Sequence, residues 1–147
     1  MESSFFDIIR PDLFLAGVVI GGAILLMRFM PRLMAGVPFV EPKAVKDLID
    51  GGMELVIIDV RTQEEFKGPL SHIKGAINLA GMELDNRLAA ADKQLESLKS
   101  APIFIVCRTH NRSPRAARML TKAGFTQVAI IKGGMINWNK QELPVAK

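Results

Sequence analysis

Apolar positions follow two patterns along this chain. One is a single unbroken run, Leu13 to Met27, with no charged or strongly polar side chain. The other is a series of short apolar runs, separated by segments of helical spacing, from Val37 to the C-terminus. Leu55–Ile58, Ile103–Val106 and Val128–Ile131 have the length and continuity of strands buried on both faces. Ala76–Leu79 reads as a further strand, and Val37–Val40 as a short extended lead-in. Between them, Pro42 starts a helix with Val45, Leu48 and Ile49 on one face, and Gly51-Gly52 stops it. Thr62 and Glu65 have capping-box spacing for a short helix through Phe66. Leu84, Leu88, Leu95 and Leu98 mark helical material over 82–99. Ser113-Pro114 opens a helix with Ala116, Ala117 and Leu120 on a face, Ser113 being a candidate N-cap and Gly124 lying just past the end. A last helical turn around Trp138 follows Gly133-Gly134. Strands alternating with helices predict an α/β domain over 38–147, with a parallel sheet covered by helices on both faces. A unit of about 110 residues closes its own core without the N-terminal run.

That run therefore needs its own explanation. Extended to Met30, it reaches ~27 Å as a helix, just enough for a bilayer core of about 30 Å with Arg28 snorkelling. The glycines Gly17, Gly21 and Gly22, and the absence of a polar stripe, argue against a soluble amphipathic or interfacial helix. The expected organisation is a tail over 1–12, a transmembrane helix over 13–30, a linker over 31–37 and the domain over 38–147. A cleaved signal peptide, leaving an exported domain, is the alternative. Against it, the first twelve residues hold Glu2, Asp7 and Asp12 against Arg10, and no A-x-A site follows. Arg28, Arg32, Lys43 and Lys46 follow the run, so the basic flank predicts an outside N-terminus and a cytoplasmic domain.

Charge and cysteine content narrow the chemistry. Nineteen Lys and Arg oppose 15 Asp and Glu, a net +4. With no basic stripe interleaved with aromatics, this suits proximity to anionic lipid better than nucleic-acid binding. One Cys and two His exclude a disulfide framework and a Cys- or His-rich metal site, so no metal or cofactor is expected.

The chemistry concentrates in Cys107-Arg108-Thr109-His110-Asn111-Arg112-Ser113, between a strand and a helix. Parallel α/β sheets bind ligands beyond the carboxyl ends of their strands, and a helix start offers unpaired N–H groups to an anion. A Cys there is favoured as thiolate, Arg108 and Arg112 add forks for oxyanions, and Thr109 and Ser113 can donate hydroxyl hydrogen bonds. The pattern fits a nucleophilic sulfur attacking an anionic substrate. A buried, inert Cys or a plain anion-binding loop remain open readings. The lack of a resolving thiol turns the expectation from disulfide chemistry to transfer of a single sulfur atom.

Three stretches resemble the rhodanese (sulfurtransferase) family, together covering about 38–146. They are Ile57-Ile58-Asp59-Val60-Arg61…Glu65-Phe66…His72-Ile73-Lys74-Gly75-Ala76-Ile77-Asn78, then Val106-Cys107-Arg108-x-x-x-Arg112-Ser113, then Gly133-Gly134-Met135-x-x-Trp138…Leu143-Pro144-Val145. The resemblance implies a single-domain, membrane-anchored sulfurtransferase whose Cys107 forms a persulfide. It implies that Arg108, Thr109, His110, Asn111, Arg112 and Ser113 bind a small anionic sulfur donor, and that a thiol or protein acceptor takes the sulfur. Asp59 resembles the buried acid that supports the loop, while His72 and Trp138 are expected to be structural. Four residues between Cys107 and Arg112 resemble the sulfur-transferring members, whereas related phosphatases have five. A phosphatase or arsenate-type enzyme, and a non-catalytic binding module at the membrane, are the alternatives. His110 stands where the family often has Gly, and a left-handed backbone is expected in the loop.

Overall fold

The computed structural model describes residues 15–26 and 36–147. Residues 15–26 form a helix, α1, whose side chains are all exposed. No helix among the described residues is long and apolar enough to cross a membrane, so the expected spanning helix is not shown. Residues 13–14 and 27–30 of that span, the tail over 1–12 and linker residues 31–35 lie outside the described residues.

The domain is the expected parallel α/β unit. Its strands are β1 (Phe39–Val40), β2 (Val56–Asp59), β3 (Ile77–Asn78), β4 (Ile103–Val106) and β5 (Val128–Ile131). They form one sheet in the order β1-β5-β4-β2-β3, and every neighbouring pair is parallel. The central strand β4 registers Asp59 of β2 against its own Val106, so the carboxyl ends of β2 and β4 lie side by side.

Alternation along each strand divides the core in two. Ile103, Ile105 and Cys107 face one side with Ile58 and Val60, packing on Leu84 of α4 (Gly81–Ala89), Leu95 of α5 (Lys93–Glu96) and Ala116, Ala117 and Leu120 of α6 (Ser113–Lys122). Phe104 and Val106 face the other with Ile57, packing on Val45 of α2 (Pro42–Asp50) and on Met135 and Trp138 of α7 (Gly134–Lys140). These apolar faces, fully removed from water, supply the main driving force for the fold. No residue of α1 enters either cluster, as expected for a core that closes by itself.

Most predicted elements appear within a residue or two. The expected capping box is present on α3 (Gln63–Phe66), with both reciprocal bonds between Thr62 and Glu65. The helical stretch over 82–99 is two helices rather than one. Ala91 turns left-handed (φ 47°), and Asp92 recaps the chain by accepting from the N–H groups of Gln94 and Leu95. An Asp side chain competing for backbone donors favours such a restart over continuation. His72 stacks on Phe66, and its backbone pairs with that of Ala146, while the Trp138 indole is buried and donates to the Pro144 carbonyl. Both expected structural roles hold.

Candidate active site

The loop from Cys107 to Arg112 connects the end of β4 to α6. Among the described residues, the backbone N–H groups of 108–113 donate to no protein acceptor. Six consecutive free donors beside a helix start make a concave site for an anion or a polarisable sulfur.

Contacts from α7 explain the loop's shape. Met135 N donates to the Cys107 carbonyl at 2.8 Å, and Ile136 N to the Arg108 carbonyl at 3.0 Å. The start of one helix thus takes up the loop's carbonyls, while the start of α6 leaves its N–H groups free. This approach requires glycine: a Cβ on Gly134 would lie 2.2 Å from the Thr109 carbonyl oxygen and 2.3 Å from that of Cys107. Gly133 and Gly134 both have left-handed φ, at 73° and 61°. The left-handed backbone expected in the loop is absent: no residue of 107–113 has positive φ.

Cys107 is 1% exposed and belongs to the core cluster beside Val60 and Ala116. Cys107 is therefore buried, as in the inert-Cys reading that the sequence left open. Ser113 is not the N-cap. Arg112 takes that position without a side-chain bond, and Ser113 begins the helix with its Oγ buried and without a partner among the described residues. A buried hydroxyl with no protein partner is unusual. Thr109 and His110 are half-buried, while Arg108 and Asn111 are exposed.

The two loop arginines differ. Arg112 forms a bidentate pair with Glu65, Nη1 to Oε2 at 2.6 Å and Nη2 to Oε1 at 2.8 Å, so its fork is engaged rather than free for a donor. The Arg112 hydrogen bonds, with help from the Thr62 N–H, hold the Glu65 carboxyl down at about 2. The pair in turn raises the Arg112 pKa. Arg108 has no ion pair among the described residues and lines a cavity of about 310 Å³ with Arg61, Glu65, Pro69 and Leu70.

Asp59 reaches the loop through intermediates. Its carboxylate accepts from Arg61 N, Nε and Nη2, and both side chains are fully buried. Arg61 also donates to the carbonyls of Glu65 and Ser71, and Asn78 donates to the carbonyls of Asp59 and Arg61. Asp59 therefore places Arg61, Arg61 places Glu65, and Glu65 holds Arg112. The sequence reading missed Glu65 as part of the site. Its capping-box spacing was visible, but its reach across 47 residues to Arg112 was not.

A groove of about 430 Å³ lies on the Cys107 side of the sheet, lined by Val60, Met82, Asp85, Arg112, Arg115 and Met119 among others.

The model of the rhodanese-like domain matches residues 41–141. The uncharacterized protein YibN of Escherichia coli is 32% identical over 94 residues, covering 64% of this chain and 62% of that protein. The putative sulfur carrier protein YrkF of Bacillus subtilis is 31% identical over 104 residues, covering 71% of this chain and 52% of that protein. The chain thus spans less than two thirds of the length of these relatives. Among solved structures, a thiosulfate sulfurtransferase from Pseudomonas aeruginosa superposes with TM-score 0.61 at 26% identity, covering 74% of this chain and 20% of the other. With the strand order, the loop on β4 and the matched residues in agreement, this chain belongs to the rhodanese-like domain family.

Proposed function

We propose that the protein is a sulfurtransferase that carries one sulfur atom on Cys107. The observation that carries this reading is the row of six unpaired N–H groups between a lone Cys at a strand end and the start of α6. A general role in sulfur transfer is supported by relatives named as sulfur carriers or sulfurtransferases. In the first half-reaction the Cys107 thiolate attacks the outer sulfur of a sulfane donor. The donor's S–S bond breaks and its electron pair leaves with the remaining fragment, which is sulfite when the donor is thiosulfate. The free N–H groups of 108–113 and the Ser113 hydroxyl stabilise the charge on the bound outer sulfur. In the second half-reaction a thiol or other nucleophile attacks that sulfur and restores the Cys107 thiolate. Because Cys107 is 1% exposed, its surroundings must move for each exchange.

A thiosulfate:cyanide assay, with intact mass of the purified protein, tests the reading. Wild type is expected to turn over and to gain one sulfur on Cys107, and Cys107→Ser to do neither. Turnover that survives the substitution overturns the mechanism. The 1% exposure of Cys107 favours one competing reading, a binding module that performs no transfer. Absence of turnover with any sulfane donor would select it.

The anchor and its orientation belong to the same proposal. The apolar run 13–30 and its basic flank support a single span with the domain on the cytoplasmic side. An impermeant thiol label applied to intact cells should fail to reach Cys107 and should react after lysis and mild unfolding. Labelling of intact cells reverses the orientation or supports export after signal cleavage.

A further inference from the structure

Helix α6 carries a charge pattern that the transfer chemistry leaves unused. Arg112 at its N-cap, Arg115, Arg118 and Lys122 recur at steps of three and four residues, which sets them along one face, and all are exposed. No Asp or Glu lies in α6. Arg112 is paired with Glu65, whereas Arg115, Arg118 and Lys122 have no ion pair among the described residues. Arg108 of the loop is exposed and unpaired too, lining the separate cavity with Arg61 and Glu65. The carboxylates placed beside this face are Glu65, held by Arg112, and Asp85, in the groove between α4 and α6. Glu83 of α4 sits by Arg87, and at the far end of α6 Glu96 is paired with Lys99. The surface from the loop along α6 is therefore net positive. From Arg112 to Lys122 it extends ~15 Å. Because α6 leads from the carboxyl end of β4 back to the amino end of β5, the stripe runs from the Cys107 loop along the flank of the sheet.

We propose that this face of α6, with the groove at its N-terminal end, docks a protein presenting an acidic, partly apolar segment, the partner that exchanges sulfur with Cys107. The inference rests on the sulfurtransferase reading above and names the chemistry of its partner. Unpaired cations in a row offer an acidic chain complementary charge and steer it from a distance. The groove adds what charge alone does not. Val60, Met82, Ala116 and Met119 form an apolar strip beside Asn111 and Arg112 of the loop, and Met82 is 79% exposed. Methionines adapt to apolar side chains of varied shape. A protein segment uses both features at once. A flat lipid surface meets the cations but leaves the groove unfilled, and no aromatic side chain of α4 or α6 gives a nucleic-acid base a place to stack. Stripe and groove meet at Arg112, so a chain lying along them is led to the loop that holds Cys107.

The test follows the fluorescence anisotropy of a labelled peptide of four Glu-Glu-Leu repeats added to the full chain. Wild type should bind it, and salt should weaken the binding. Arg118→Gln/Lys122→Gln should raise Kd about fourfold and Arg118→Glu/Lys122→Glu about tenfold, the range for exposed charges. Lys74→Glu/Lys140→Glu, an equal charge change at exposed lysines outside α6, should leave Kd in place. Met82→Ser should weaken this peptide about threefold and leave a Glu-Glu-Ser peptide unaffected. Equal weakening by the two reversed pairs reduces the effect to net charge and overturns the proposal, as does binding indifferent to Arg118 and Lys122. Displacement of the peptide by phosphatidylserine-containing vesicles, but not by phosphatidylcholine alone, makes a lipid surface the occupant and overturns it too. Where thermal denaturation shows the reversed pair to be poorly folded, the Gln pair decides. The same titration in Cys107→Ser needs no turnover. Stripe-dependent binding there, with no sulfur transfer by wild type, sinks the sulfurtransferase reading and leaves the docking face. Thiosulfate:cyanide turnover with stripe-independent binding sinks the docking face alone.

Discussion

Strands β2 and β4 end side by side, Asp59 opposite Val106, yet their ends are built in opposite ways. The end of β2 is saturated. Asp59 and Arg61 are fully buried, joined by several hydrogen bonds, and the remaining Arg61 donors reach two carbonyls. The end of β4 is incomplete, with six free N–H groups and a Ser113 hydroxyl without a partner among the described residues. An incomplete site keeps its shape only if its neighbours cannot relax into it. The saturated network on one side and the α7 donors on the other supply that rigidity, which is preorganisation in the sense that matters for transfer chemistry.

The comparison breaks most forcefully at Asp59. Removing one partner of a buried ion pair strands the other charge, so Asp59→Ala should lose about 3–5 kcal/mol of stability in urea denaturation. A loss under about 1 kcal/mol, the range of an exposed pair, would show that Arg61 finds other partners and that β2 is not the rigid side. Next comes the α7 contact. Gly134→Ala forces a methyl against two loop carbonyls at a left-handed position and should cost about 2 kcal/mol, with a larger proportional loss of sulfur transfer than of stability. Equal activity per folded molecule would detach loop shape from α7.

A smaller effect sharpens the link between the two ends. The folded-state pKa of Glu65, about 2, lies below its ordinary 4.5. Deprotonated Glu65 therefore stabilises the folded state. That contribution is fully present above about pH 4.5 and is lost as pH falls toward 2. For a partly exposed pair it is at most about 1 kcal/mol, and it should vanish from the wild-type minus Glu65→Gln difference at the acid end. A difference that stays constant through this window would mean the pair is not formed in solution. The smallest change is expected at Ser113. Because its hydroxyl has no partner, Ser113→Ala should alter stability by no more than about 0.5 kcal/mol, and in the stabilising direction. A clear loss on thermal denaturation would reveal a bond to the hydroxyl.

Much of this was legible in the residues themselves. Strands β4 and β5 stand where their unbroken apolar runs predict, because a strand buried on both faces needs four apolar neighbours in a row. The Thr62–Glu65 capping box was visible because its bonds span three residues. What could not be read depends on contacts between distant segments. The Gly133-Gly134 pair read only as the lead-in to a last helical turn, and its close approach to the Cys107 and Thr109 carbonyls appears only in the folded chain. Arg112 looked free because Glu65 lies 47 residues away.

Local order thus determined which segments become strands and helices, and it placed a lone thiol between a strand and a helix start. Backbone sterics, burial periodicity and end-capping act over a few residues and leave their mark in a linear pattern. The burial of Cys107, the side of the sheet it faces, and the engagement of Arg112 were decided only when β2, β4, α6 and α7 packed together. Close packing and charge pairing act across space, where separation along the chain has no bearing on distance.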